Sequence, residues 1–164
     1  QQEREETATT TQRQAHFCAM MVGIRKTTYG ELSEAERSAL ERLVDEVQHG
    51  APYFDPPERT CRQWSREYWE KLSLLLATEG EGVVLGYLAS VPVAQYAGPS
   101  EERTLLTEED PREWVYLAEV GVSAEARGKG VGTALMARFH DDLPATTTTT
   151  TKKVLVRTLV RNHR

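Results

Sequence analysis

Apolar positions recur along this chain with two different periods, and the periods mark out its elements. An apolar run from His16 to Thr28, carrying Val22 and Ile24, predicts a first strand. Ser33 and Glu36 then stand at capping-box spacing, and behind them Leu40, Leu43, Val44 and Val47 fall on one helical face up to Gly50. Asp55-Pro56-Pro57 breaks the chain. Thr60 and Gln63 offer a second box, opening a helix whose face carries Cys61, Trp64, Tyr68 and Leu72. Leu72 to Thr78 and Val83 to Val93 flank the turn Glu79-Gly80-Glu81-Gly82 and predict a β-hairpin, with Pro92 marking a strand end or an edge. Trp114 to Ser123 reads as the next strand. Val131, Leu135, Phe139 and Leu143 recur every four residues, so the helix they define turns that face to the sheet before Pro144 ends it. Val154 to Val160 predicts a last strand.

Between these elements lie three polar stretches. Gln1 to Gln14 has almost nothing apolar and is expected to be a disordered tail, which leaves one domain over residues 16–164. Ala97 to Glu113 is a long polar loop, and the threonine run Thr146 to Thr151 a solvated one with no apolar face to bury. The net charge of −5, with no basic stripe, argues against a nucleic-acid partner and suits a cationic amine. No run approaches the length of a membrane span and the first residues lack a signal-peptide pattern, so a soluble cytoplasmic protein with no membrane partner is expected. Cys18 and Cys61 read as reduced core thiols, and the four histidines show no metal-ligand spacing, so no metal is expected.

The chemistry concentrates in Arg127-Gly128-Lys129-Gly130-Val131-Gly132-Thr133, between a predicted strand and a predicted helix. A helix N-terminus presents free N–H groups and partial positive charge, so it receives anions. Glycine lets the backbone approach a phosphate closely, and Arg127 and Lys129 add full positive charge. The spacing is neither that of a P-loop nor that of the dinucleotide fingerprint, which would need glycine where Thr133 stands. It fits R-x-x-G-x-G, with Arg127, Gly130 and Gly132 in register.

That motif, extended over Glu119-Val120-Gly121-Val122-Ser123-Ala124-Glu125-Ala126-Arg127-Gly128-Lys129-Gly130-Val131-Gly132, resembles the pyrophosphate loop of the GNAT superfamily of acyl-CoA-dependent N-acetyltransferases. Ile24 to Thr28 and Val84 to Leu88 resemble the family's opening strand and its third strand, and the order of elements matches across Val22 to Asn162. The resemblance implies an α/β (α+β) fold: a central mixed, mostly antiparallel sheet with splayed fourth and fifth strands, flanked by helices. It implies acetyl-CoA as cosubstrate, its diphosphate over Arg127, Gly128, Lys129, Gly130, Val131, Gly132 and Thr133, and its pantetheine arm along Val120, Gly121 and Val122. A bulge at Gly121 would then aim an N–H at the thioester carbonyl, with Gly121 leaving room for the arm.

Glu119 is the best candidate base. Strict alternation puts it with Leu117 on one face and Ala118, Val120 and Val122 on the other, and its apolar surroundings would raise its pKa toward neutrality. Tyr87, Tyr96 and Tyr116 carry the group a general acid needs, without spacing to choose among them. The resemblance makes Tyr53 and Phe54 candidates for contact with a small-molecule or peptide amine, and gives Asn162 the place of the family's cofactor-side asparagine. The family's next helix and further strands would lie beyond Arg164. This suggests a truncated chain, a partner segment or homodimer completing the sheet, or a copy that has lost catalysis. The expected function is transfer of an acetyl group to a primary amine by direct attack in a ternary complex. The alternatives are a non-catalytic acyl-CoA-binding or sensing module and, further off, a nucleotide-phosphate binder.

Overall fold

Five strands in the order β1-β2-β3-β4-β5 form one sheet in the computed structural model, which describes residues 22–49, 66–80, 82–95, 114–143 and 153–156. The strands are β1 (Gly23–Thr28), β2 (Ser73–Thr78), β3 (Val84–Pro92), β4 (Trp114–Val122) and β5 (Lys153–Val156). β1 to β4 pair antiparallel with their neighbours, and β5 pairs parallel with β4. The helices are α1 (Glu34–His49), α2 (Arg66–Glu70) and α3 (Val131–Asp142). The expected hairpin is therefore β2–β3, with Gly80 and Gly82 both at positive φ in its turn. The early part of the first strand, the start of the second helix from Thr60, and the last strand beyond Val156 lie outside the described residues.

The capping box at the head of α1 is formed. Ser33 donates its backbone N–H to Glu36 Oε2 at 3.0 Å, and the Glu36 N–H donates to Ser33 Oγ at 3.2 Å. Arg25 of β1 reaches the same carboxylate at 2.6 Å, tying the edge strand to the helix. The Ser33 N–H first, and then the Arg25 side chain, hold Glu36 below the ordinary carboxylate range.

Each face of the sheet carries its own core. On one, α1 and α2 bury Leu40, Val44 and Trp69 against Leu74, Leu76 and Tyr87. On the other, α3 buries Val131, Leu135 and Phe139 against Leu75, Leu88 and Leu117. Gly86 explains how closely α3 sits on the sheet: a Cβ there would lie 3.0 Å from Val131 Cγ1 and 3.2 Å from Leu135 Cδ1. A strand glycine here marks the close approach of another element. Of the described residues of β5, Val154 and Leu155 are half-buried and Val156 is 52% exposed.

β4 carries the main correction. Ala89 lies opposite Glu119 but Ser90 lies opposite Leu117, so Ala118 is an extra residue in β4. The bulge is at Ala118, not at Gly121. Strict alternation fails there, and Glu119 faces α1 together with Ala118, while Leu117 packs on the α3 side. The vacancy at Gly121 also has another cause: a Cβ there would stand 2.3 Å from Cε1 of its cross-strand partner Tyr87. The buried Tyr87 ring occupies the space a side chain would need.

Candidate functional site

From the end of β4 the chain turns directly into α3. Ser123 still donates its N–H to Leu85 O at 2.9 Å, and a short 3₁₀ turn, Ala124–Ala126, follows with Ala126 anchored in the core. Gly128 and Gly130 then take φ of 74° and 85°, the left-handed conformation that side chains resist. Gly130 is the N-cap of α3 and no side chain caps it. The first helical bond beyond it is donated by Ala134 to Gly130 O at 2.9 Å. The N–H groups of Val131, Gly132 and Thr133 thus stand ahead of the helical ladder, at the positive end of the helix dipole. An anion would be received here by main-chain donors.

Two predicted members of this loop are differently employed. The Lys129 N–H donates back to Ala126 O at 3.3 Å, so it closes the turn and does not join the row of free donors. Arg127 folds against the protein: its Nε donates to Val122 O at 3.2 Å and its guanidinium lies 3.7 Å from Glu46 on α1. Glu46 also accepts the Ala124 N–H at 2.8 Å. This acid, which sequence reasoning passed over, pins the loop to α1 from across the sheet edge.

The second part of the site is the far half of β4. The described residues of β5 pair with Trp114 to Leu117, and the bulge at Ala118 follows at once. Among the described residues, Glu119 to Val122 have a strand partner on the β3 side and none on the other. The backbone of Val120, Gly121 and Val122 therefore runs from the bulge to the glycine turn, with the Val120 and Val122 side chains packed toward the α3 core.

Glu119 sits at the start of this half-strand, partly buried, and accepts a hydrogen bond from Gln48 Nε2 at 3.2 Å. Gln48 continues the stripe of Leu40 and Val44 at four-residue spacing and is also buried, only 8% exposed. A polar residue on an apolar stripe was the available signal, and sequence reasoning missed it. Tyr87 and Tyr116 are both buried in the α1-side core. Tyr53, Phe54, Tyr96 and Asn162 lie outside the described residues. Among those described, no cluster of His, Cys, Asp and Glu could hold a metal ion, and no helix is long and apolar enough to cross a membrane.

Two solved structures share this architecture. One is an integron cassette protein from the mobile metagenome of V. cholerae, at 16% identity and TM-score 0.52, covering 86% of this chain and 77% of that one. The other is a ribosomal-protein-alanine N-acetyltransferase from Brucella melitensis biovar Abortus 2308, at 13% identity and TM-score 0.53, covering 84% of this chain and 80% of that one. At such identities the likeness is one of fold. Comparison with curated proteins gives no match. The family model for GNAT acetyltransferases matches residues 40–154, which takes in α1 from Leu40 onward, the sheet from β2 to β4, the glycine turn and α3. The chain belongs to the GNAT acetyltransferase family.

Proposed function

We propose that the chain transfers an acetyl group from acetyl-CoA to a primary amine, by direct attack with both substrates bound. The observation that carries this reading is the left-handed glycine turn that joins the β4 half-strand to the uncapped N-terminus of α3. The N–H groups of Val131, Gly132 and Thr133 would hold the diphosphate, with Gly128 and Gly130 clearing its approach and Lys129 adding charge. The backbone of Val120, Gly121 and Val122 would pair with the extended arm. The cosubstrate supplies an activated thioester carbonyl.

Glu119, at the bulge, takes the proton that the amine must lose, directly or through a water. The amine nitrogen bonds to the acetyl carbon, the carbon–sulfur bond breaks, and the thiolate leaves to take up a proton. Arg127 and Glu46 hold the turn in shape between β4 and α1. Family membership supports acetyl transfer in general, while the amine class and the ternary route are our reading. The test is release of free thiol from acetyl-CoA against a panel of small-molecule and peptide amines, with calorimetry of CoA and ATP alongside. Amine-dependent thiol release supports the proposal. CoA binding without it at any amine would leave an acyl-CoA-binding module instead.

A further inference from the structure

The Gln48 carboxamide is hard to explain by packing. It lies on the core stripe of α1, 8% exposed, with Nε2 on Glu119 Oε1 at 3.2 Å and with its Oε1 buried and without a partner among the described residues. An unmet buried acceptor destabilises the fold, and a methionine or leucine of similar volume would fill the same space without that cost. What an apolar residue could not do is donate to Glu119. The carboxylate itself sits at the one point where β4 carries an extra residue, so its direction is not imposed by a regular strand ladder.

We propose that Gln48 is a positioning residue for Glu119, fixing the carboxylate's direction at the bulge and favouring its ionised, proton-accepting form. The inference rests on the reading of Glu119 as the base. A hydrogen bond donated to a carboxylate stabilises the charged form and lowers its pKa, so loss of Gln48 raises it. Other ionisable groups on the surrounding elements are Asp45 and Glu46 of α1, Tyr87 of β3, Tyr116 of β4 and Arg127. Of these, Glu46 is engaged by the Ala124 N–H and Arg127. All of them remain in place when Gln48 alone is changed.

The experiment uses the full chain with ¹³C-labelled glutamate carboxyls. The Glu119 resonance is assigned by its loss in Glu119→Gln, and acetyl transfer is measured on the same samples. Gln48→Met keeps volume and removes the amide, whereas Gln48→Asn keeps the amide but is too short to reach. In both, the Glu119 midpoint should rise by about one pH unit and turnover should fall roughly tenfold, with the KM for acetyl-CoA unchanged. An unmoved Glu119 midpoint in folded variants would overturn the role of Gln48. So would a Gln48→Asn chain that behaves like the parent while Gln48→Met does not, since reach would then be irrelevant. Undiminished turnover in Glu119→Gln would instead overturn the base assignment beneath it, and the consequence for catalysis with it.

Discussion

Two β4 residues carry opposite kinds of consequence, one chemical and one steric. Glu119→Gln keeps the shape and the Gln48 contact partner but removes the proton acceptor. Turnover should drop by about two to four orders of magnitude, with CoA affinity nearly unchanged in calorimetry. Gly121→Ala leaves the chemistry alone but sets a methyl 2.3 Å from the Tyr87 ring, in a place with no room. Overpacking of this kind costs about 1–3 kcal/mol, to be read from the urea midpoint. Glu119 stood out in advance as a candidate because a carboxylate directly after the apolar run Val115 to Ala118 is out of pattern. The partner of Gly121 was not, because cross-strand register decides it and register depends on an insertion of one residue elsewhere. Gln48 lay between these cases, an exception on an apolar stripe that spacing could have flagged.

Among the elements, those set by local chemistry matched their sequence signals closely. The capping box at α1, the glycine turn of β2–β3 and the helix after Gly130 are each fixed by residues a few positions apart. Ser33→Ala should cost about 1 kcal/mol, measured by chemical unfolding, because it strips the N–H of Glu36 of its cap. The same box has an acid limb. Glu36 is held below its ordinary pKa in the folded chain, so its stabilising effect is full above that ordinary value, about 4.5. It is lost as pH falls through the lower folded value. Glu36→Gln should flatten that part of the pH–stability profile and leave the neutral region with a small constant loss. The bulge at Ala118 is the opposite case. Nothing in Leu117-Ala118-Glu119 announces an extra residue, since a bulge is a property of two strands and the sequence shows one.

The whole molecule is a sheet with a core on either face, and the site lies where the two cores meet the end of β4. α1 supplies Gln48 and Glu46 from one side, and α3 supplies its N-terminus from the other. Leu135, fully buried against β3, holds α3 in place, so Leu135→Ala should destabilise the chain by about 2–5 kcal/mol in denaturant unfolding. The layering was foreseeable from the two faces of apolar residues at helical spacing. The splay of β4 from β5 was expected only through family resemblance, and the residues that would show it lie beyond Val156, outside those described. The central claim is that the uncapped start of α3 grips the diphosphate of CoA, and it is tested most directly by calorimetric titration of acetyl-CoA into the parent chain and into Gly130→Asp. Aspartate adds a side chain at φ 85° and a negative charge where the anion should lie. Saturable binding by the parent and none by a folded Gly130→Asp chain is the predicted result. Equal binding by both, with matching circular dichroism, would contradict it.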